Sequence, residues 1–259
     1  MIHVVKIGGN IIDNKEALQQ FLTDFASIQG SKILIHGGGK IATEVAGKLG
    51  IAQQMVDGRR ITDALTLDVI TMVYAGLINK NLIVSLQSLG CESIGVCGAD
   101  GNLISAQKRV VKDIDYGLVG DHLIVNTSFL STLLQSKKTV VVAPITHDTK
   151  GQLLNTNADT IAKSIASALA EKEAVQLIYC FDKKGVLEDV NDENSVIKSL
   201  NDSQVAIPKS EGKIHTGMIT KIDNALKTIQ KGVQTVIIGH ASEIKNLVNG
   251  IGGTKIMKD

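Results

Sequence analysis

Three turns in this sequence place glycine next to cationic or polar residues, each directly after a short apolar run. They are KIGGN (Lys6–Asn10), IHGGGK (Ile35–Lys40) and FDKKGV (Phe181–Val186). In an open parallel sheet, ligands bind beyond the carboxyl ends of the strands. Glycine at those ends permits positive φ and lets backbone N–H groups come close to an anion. HGGGK leads into a helical pattern, so its amides and the helix dipole suit a phosphate or a carboxylate. A ligand-free tight turn is the simpler reading of any one such turn. Two of them at the ends of neighbouring strands favour an anion site. GGGKIATE lacks the Walker spacing, and it fails G-x-G-x-x-G because position 42 is Ala. These are glycine loops for anions, but neither a P-loop nor a dinucleotide fingerprint.

Lys6 stands inside the apolar run HVVKIGGNII, and a lysine buried there is costly unless something negative meets it. DGRRITD (Asp57–Asp63) sets two arginines before a helix that Thr62 or Asp63 would cap. The planar fork of Arg60 suits a carboxylate, against the alternative of a solvated loop arginine. NTNAD (Asn155–Asp159) opens another helix, with Asn157 the expected N-cap; three polar groups there exceed what capping requires. Lys221 lies early in a helix whose buried stripe is Met218, Ile222, Ala225, Leu226 and Ile229. A lysine there opposes the dipole, although a snorkelling surface lysine accounts for it equally well. The six histidines show no ligand spacing, so no protein metal site is expected, and His36 should pack at its strand end. There is no Ser-His-Asp order and no Cys–His pairing.

The elements that must position these groups are strands at His3–Ile7, Lys32–Ile35, Thr139–Ala143, Leu177–Phe181 and Thr235–Ile238. Val and Ile dominate them without polar alternation, the pattern of strands buried on both faces. Helical patterns lie at Lys15–Ile28, Lys40–Leu49, Asp63–Leu89, Ala158–Leu169 and Met218–Lys231. Strand then helix, repeated, predicts a doubly wound α/β fold. Ile94–Val125 breaks the rhythm; its short pieces and Asp100-Gly101 turn predict antiparallel hairpins covering a site. If two lobes exist, the division falls near residue 155 within one continuous sheet.

The 259 residues carry 27 Lys plus Arg against 26 Asp plus Glu, so no basic field for nucleic acid exists. Trp is absent and aromatics are 3%, which disfavours base-stacking platforms. The three cysteines form no C-x-x-C, which fits a reducing, cytoplasmic setting. No uninterrupted apolar stretch reaches the ~20 residues of a membrane span, and no leader is evident, so no membrane partner is expected.

Taken in order, KIGGN, IHGGGK, DGRRITD, NTNAD, FDKKGV, GMITKIDNA and the tail GIGGTKI resemble the amino-acid kinase family along the whole chain. Within it they are most similar to the branch acting on N-acylated glutamate. The resemblance implies a three-layer αβα sandwich around a mainly parallel central sheet, the carbamate-kinase-like fold. Residues 1–155 would bind the N-acyl amino acid and carry the lid hairpins, and residues 156–259 would bind ATP. It implies phosphoryl transfer from ATP, carrying Mg²⁺, to the side-chain carboxylate of N-acetyl-L-glutamate, in arginine biosynthesis. Lys6 and Lys221 are then expected to contact the transferring group and Asp159 to orient both. Gly8 and Gly9, with Gly38 and Gly39, would offer N–H groups to phosphoryl oxygens and carboxylates. Arg60 would hold the α-carboxylate and Asn155 would meet the amino acid. Asp182, Lys183, Lys184, Gly185, Val186 and Leu187, with Lys213, Ile214 and His215, would line the nucleotide.

Two departures stand out. The chain reads IIGHA (Ile237–Ala241) where the family commonly ends a strand in DGR, so Gly239 and His240 receive no role. The first strand begins almost at residue 1, whereas arginine-inhibited members carry an extra N-terminal helix that links dimers into hexamers; the expectation is a homodimer insensitive to arginine. The same chemistry on N-succinyl-L-glutamate or another acidic derivative is the alternative substrate reading. A non-catalytic sensor is disfavoured because Lys6, Asp159 and Lys221 are all present. A dinucleotide oxidoreductase is disfavoured by the failed fingerprint.

Overall fold

A computed structural model describes residues 1–56, 58–111, 113–189, 191–201 and 216–258, with residues 216–220 by backbone alone. The strands are β1 Ile2–Ile7, β2 Ser31–Ile35, β3 Met55–Val56, β4 Arg59–Arg60, β5 Ser93–Val96, β6 Ile104–Lys108 and β7 Gly120–Val125. They continue with β8 Thr139–Val142, β9 Ile145–His147, β10 Leu153–Asn155, β11 Val175–Phe181, β12 Ser199–Leu200, β13 Thr235–His240 and β14 Thr254–Ile256. The fold is α/β on mainly parallel strands, and the five predicted strands agree with β1, β2, β8, β11 and β13 to within two residues at each end. The chain packs as two compact units, Met1–Ile33 with Ile165–Asp259, and Leu34–Ser164.

In the first unit the strand order is β12-β14-β13-β11-β1. β1, β11 and β13 run parallel, with Lys6 opposite Tyr179 and Phe181 opposite His240. All six residues of β1 are buried, which explains its Val/Ile content. Against these strands pack Phe21, Leu22 and Phe25 of the helix Lys15–Ser27, and Ile222, Ala225, Leu226 and Ile229 of the helix Thr216–Ile229. That stripe is the predicted one; the side chain of Met218 lies outside the described residues. β14 pairs antiparallel with β13 and was not foreseen. The glycines of GIGGTKI disguise it.

The helix Lys15–Ser27 starts on Asn14, whose side chain accepts from the Ala17 N–H at 3.0 Å. Its end is closed by Lys32, buried on β2. The Lys32 ammonium donates to the carbonyls of Phe25 (2.9 Å), Ala26 (2.8 Å) and Ile28 (2.7 Å). It also lies 5.2 Å from the centre of the Phe25 ring. A cation at a helix C-terminus meets both the dipole and its otherwise unmatched carbonyls.

In the second unit β5 lies beside β8 in parallel, and β10-β9-β6-β7 form a separate four-stranded sheet. The predicted antiparallel region is therefore corrected at its start: β6 and β7 are antiparallel, but β5 belongs to the parallel system. Gly95 hid that strand. A Cβ on it would sit 1.9 Å from the Asn79 Oδ1, so the overlying helix requires a glycine there. Asp100-Gly101 makes a short 3₁₀ turn between two sheets instead of a hairpin, with Gly101 at φ 57°.

The predicted helix Asp63–Leu89 is three pieces: α over Ala64–Thr71, π over Met72–Ile78 and α over Asn79–Ser88. Asp63 caps it, accepting from the Thr66 N–H at 2.7 Å. By length and composition this 25-residue run could cross a membrane, although Asp68, Asn79, Lys80 and Asn81 interrupt its apolar residues. Here Leu67, Ile70, Val73, Ile78, Leu82 and Leu86 are buried, so one face is core. Leu65, Met72, Leu77 and Val84 stay exposed on it, and Ile94 on β5 is exposed as well.

Replacing Lys32 with Met keeps the stem and removes the three charge-assisted bonds. The expected outcome is a loss of about 2 kcal/mol in urea unfolding, the scale of hydrogen bonds to a charged group. An unchanged midpoint would show that the capping contributes nothing.

Candidate active site

In the first unit the site residues gather at the carboxyl ends of β1 and β11. Lys6 is 8% exposed, and its ammonium lies 5.3 Å from the centre of the Phe181 ring. Lys221, half-buried on the helix Thr216–Ile229, brings its ammonium to 3.7 Å from the same ring. Two cations from remote parts of the chain thus converge on one aromatic ring, whose quadrupole attracts them. Tyr179 stacks alongside Phe181 with centroids 6.1 Å apart. Residues two apart on a strand share a face, so this platform follows from the strand period. Phe181 was missed in the sequence as a site residue; its place at the head of FDKKGV was the available signal.

The Gly8 N–H donates to the Cys180 carbonyl at 3.1 Å, continuing the parallel ladder. That amide is committed within the sheet. Gly9 begins a short helix, Gly9–Asp13, and Asn10 donates to the Asp182 carboxylate at 3.3 Å. Of the FDKKGV turn, Lys183 pairs with Glu193 at the surface (3.2 Å) and Lys184 is exposed. Gly185 packs so closely that a Cβ would lie 2.7 Å from the Thr254 Oγ1. The Val186 N–H donates to that same hydroxyl at 2.8 Å and its side chain is buried. Leu187 bridges to Val196. Lys213, Ile214 and His215 lie outside the described residues.

In the second unit the HGGGK turn leaves β2 and opens the helix Gly39–Lys48. Gly38 has φ 143°, and a Cβ there would meet the Ile78 Cδ1 at 2.1 Å. Arg60 is 7% exposed, so the solvated-arginine alternative is set aside. Its Nη2 donates to the Gly39 carbonyl and to the Thr43 Oγ1, each at 2.9 Å, and its Nη1 donates to Gln53 Oε1. Every one of these partners is neutral. The Tyr74 hydroxyl lies over the same place: a Cβ on Gly39 would be 3.8 Å from both it and the Arg60 Nη2. Burial pushes the Tyr74 phenol up, while the charge of Arg60 and a side-chain hydrogen bond from it pull the other way. A buried guanidinium held by uncharged groups leaves its charge for a bound anion to match. Gln53 and Tyr74 escaped the sequence reading because no motif contains them, and Thr43, within GGGKIATE, because it lies in the helix beyond the glycines.

Asn155 ends β10 and donates to the Thr62 Oγ1 at 3.0 Å. Asn157 caps the next helix as expected, accepting from the Thr160 N–H at 3.1 Å. Asp159 is half-buried in the first turn of that helix. His36 is fully buried at its strand end, and burial lowers its pKa to about 4 against a backbone hydrogen bond that raises it. Among the described residues, no group of three His, Cys, Asp or Glu is placed to hold a metal ion.

The model of the "Amino acid kinase family" matches residues 1–240, and the chain belongs to that family, whose members are phosphotransferases. Its curated relatives narrow the class. A protein of Cytophaga hutchinsonii called acetylglutamate kinase is 53% identical over 249 residues, covering 96% of this chain and 94% of its own. One of the same name from Bacteroides fragilis is 49% identical, with coverage of 98% and 96%. Among solved structures, N-acetylglutamate synthase of Neisseria gonorrhoeae superposes with a TM-score of 0.83 at 20% identity; all of this chain matches 59% of that one. Carbamate kinase from Giardia lamblia superposes with a TM-score of 0.71 at 13% identity, with coverage of 100% and 98%. At those identities the two structures establish the fold alone.

A histidine buried in its neutral form makes stability depend on pH. The unfolded chain takes up a proton on His36 below its ordinary value of 6.5, whereas the folded chain resists until about 4. Stability from this group is complete above pH 6.5 and falls as the pH drops toward 4. The loss between pH 7 and pH 5 is about 2 kcal/mol. Urea unfolding at both pH values checks this: His36→Gln is expected to show a correspondingly shallower dependence, and equal slopes would refute it.

Proposed function

We propose that this protein is an acetylglutamate kinase, transferring the γ-phosphoryl group of MgATP to the side-chain carboxylate of N-acetyl-L-glutamate in arginine biosynthesis. The observation that carries the reading is the convergence of Lys6 and Lys221 on Phe181. Phosphoryl transfer asks the protein mainly for alignment and charge neutralisation. A carboxylate oxygen forms the new bond to the γ-phosphorus. The bond from that phosphorus to the β–γ bridging oxygen breaks, and ADP leaves with the electron pair. The nucleophile is already ionised at neutral pH, so no general base is needed, in accord with the lack of a Ser-His-Asp or Cys–His arrangement in the sequence.

In this reading Lys6 and Lys221 offset the charge that develops on the transferring group, and Asp159 orients both. Gly8, Gly9, Gly38 and Gly39 let the substrates approach the backbone, with the committed amide of Gly8 contributing shape only. Arg60 grips the α-carboxylate, which matches its neutral clamp, and Asn155 meets the amino acid. The FDKKGV turn and residues 213–215 receive the nucleotide. Residues 1–155 serve mainly the amino acid and 156–259 mainly ATP. The exposed apolar side chains of Leu65, Met72, Leu77, Val84 and Ile94 support a homodimer formed through that face.

A hydroxylamine trap for the acyl phosphate tests the reaction, with N-acetyl-L-glutamate, N-succinyl-L-glutamate and free glutamate run side by side. Product with the acetyl compound supports the proposal. Product mainly with the succinyl compound would keep the chemistry and change the substrate. Product with none of them would refute it. Lys221→Ala is expected to lower kcat about 100-fold or more, the scale of a lost oxyanion donor. Arg60→Met is expected to raise KM for the acid about tenfold or more while KM for MgATP holds, as for a lost charge-assisted bond. Val84→Glu is expected to turn a dimer into a monomer in light scattering; a wild-type monomer would remove the dimer from the proposal.

A further inference from the structure

The π-helical turn Met72–Ile78 sits in the middle of an otherwise α-helical run. π-turns are uncommon and concentrate at functional places. This one has a local consequence, because it and the residue after it supply three contacts to the glycine turn. The Ile78 Cδ1 fills the space at Gly38, the Tyr74 ring lies beside it, and Asn79 reaches His36. In a continuous α-helix, residues 74 and 79 would point to different faces; the wider π-turn brings positions five apart into line.

Asn79 and His36 form a buried polar chain. His36 is fully buried and Asn79 is 1% exposed. The Asn79 Nδ2 donates to the Val141 carbonyl at 3.1 Å and lies 3.3 Å from the His36 Nε2. The Asn79 Oδ1 accepts from the Lys80 ammonium at 3.1 Å, which in turn donates to the Gly95 carbonyl at 3.1 Å. These partners fix which end of the amide is nitrogen. The His36 Nε2 must therefore accept. At the other end of the ring, the His36 Nδ1 lies 2.9 Å from the Gly37 carbonyl oxygen, which can only accept, so Nδ1 must carry the proton. One neutral tautomer satisfies both ends. A doubly protonated ring would set an N–H against the Asn79 amide donor, and the low pKa of His36 agrees with that exclusion.

We propose that His36 and Asn79 are positioning residues for the glycine turn, in which Asn79 holds His36 as the Nδ1–H tautomer and His36 ties down the Gly37 carbonyl. The peptide between Gly37 and Gly38 is trans. Its carbonyl and its N–H therefore point in opposite directions. Binding the carbonyl to His36 turns the Gly38 N–H away from the strand end, where it can serve as a fixed donor to an anionic oxygen. The φ of 143° at Gly38 then admits only glycine. The inference rests on the kinase reading for the identity of that anion, but not for the tautomer.

The test begins on the wild-type protein without substrate, by long-range ¹⁵N–¹H correlation of the histidine rings, with His36 assigned by its loss in His36→Gln. A protonated Nδ1 and a bare Nε2 are expected; a protonated Nε2 would overturn the proposal whether or not any variant folds. His36→Phe then keeps a ring at this place and removes the Nδ1 donor to the Gly37 carbonyl. It is expected to move the Gly38 amide resonance and to lower kcat about 10- to 100-fold with KM for MgATP within twofold, somewhat less than outright loss of an oxyanion donor. An unmoved Gly38 amide, or wild-type kcat, would overturn it. If the wild-type protein phosphorylates no N-acyl glutamate, the kinase reading fails, while the tautomer and the Gly38 resonance still decide the positioning claim.

Discussion

A guanidinium removed from water must be matched, and at Arg60 the protein matches it with hydrogen bonds but not with charge. Gln53, Thr43 and the Gly39 carbonyl fix the fork's direction, and none of them is anionic. A carboxylate in their place would have neutralised the group and weakened its hold on a ligand. In the proposed function, an anionic substrate would offset the cost of leaving that charge unmatched. Much of the second unit follows from this constraint. The turn that supplies the Gly39 carbonyl must stay rigid, and the helix carrying Tyr74 must pass close above it.

That close passage explains the glycines better than flexibility does. Gly38 gives way to Ile78 and Gly95 gives way to Asn79. Both contacts come from the stretch where the helix turns from π back to α. A helix pressed onto a backbone at two places can transmit its own position to the turn, because packed interiors deform little. The same stretch supplies the amide that selects one histidine tautomer. Local shape and local hydrogen bonding are thus set by one irregular helical turn.

In the first unit the cations are placed on regular elements. Lys6 stands on a fully buried strand and Lys221 on a long helix, with the Phe181 ring on the neighbouring strand as their shared surface. Groups on strands and helices are held more accurately than groups on loops. In the proposed reaction, which depends on alignment, such placement would contribute directly to rate.

The sequence by itself determined the α/β class, the principal parallel strands, the helix cap at Asn157, the next cap to within Thr62 or Asp63, and the cost of a buried Lys6. These are local properties: uninterrupted Val/Ile runs, capping side chains, and lysine or arginine where burial is costly. Tertiary structure alone decided the rest. The strand at Ser93–Val96 was hidden by a glycine whose reason is the packing of Asn79 from the preceding helix, and the tail strand at Thr254–Ile256 by glycines of which Gly253 answers to the Ile238 carbonyl of β13. Phe181 became a site residue only because a strand and a helix each delivered a lysine to it. Tyr74 and Asn79 sat in an ordinary helical pattern, and a 3.6-residue period cannot reveal a π-turn. Burial and convergence are sums over contacts between segments far apart in the chain, and no local pattern encodes them.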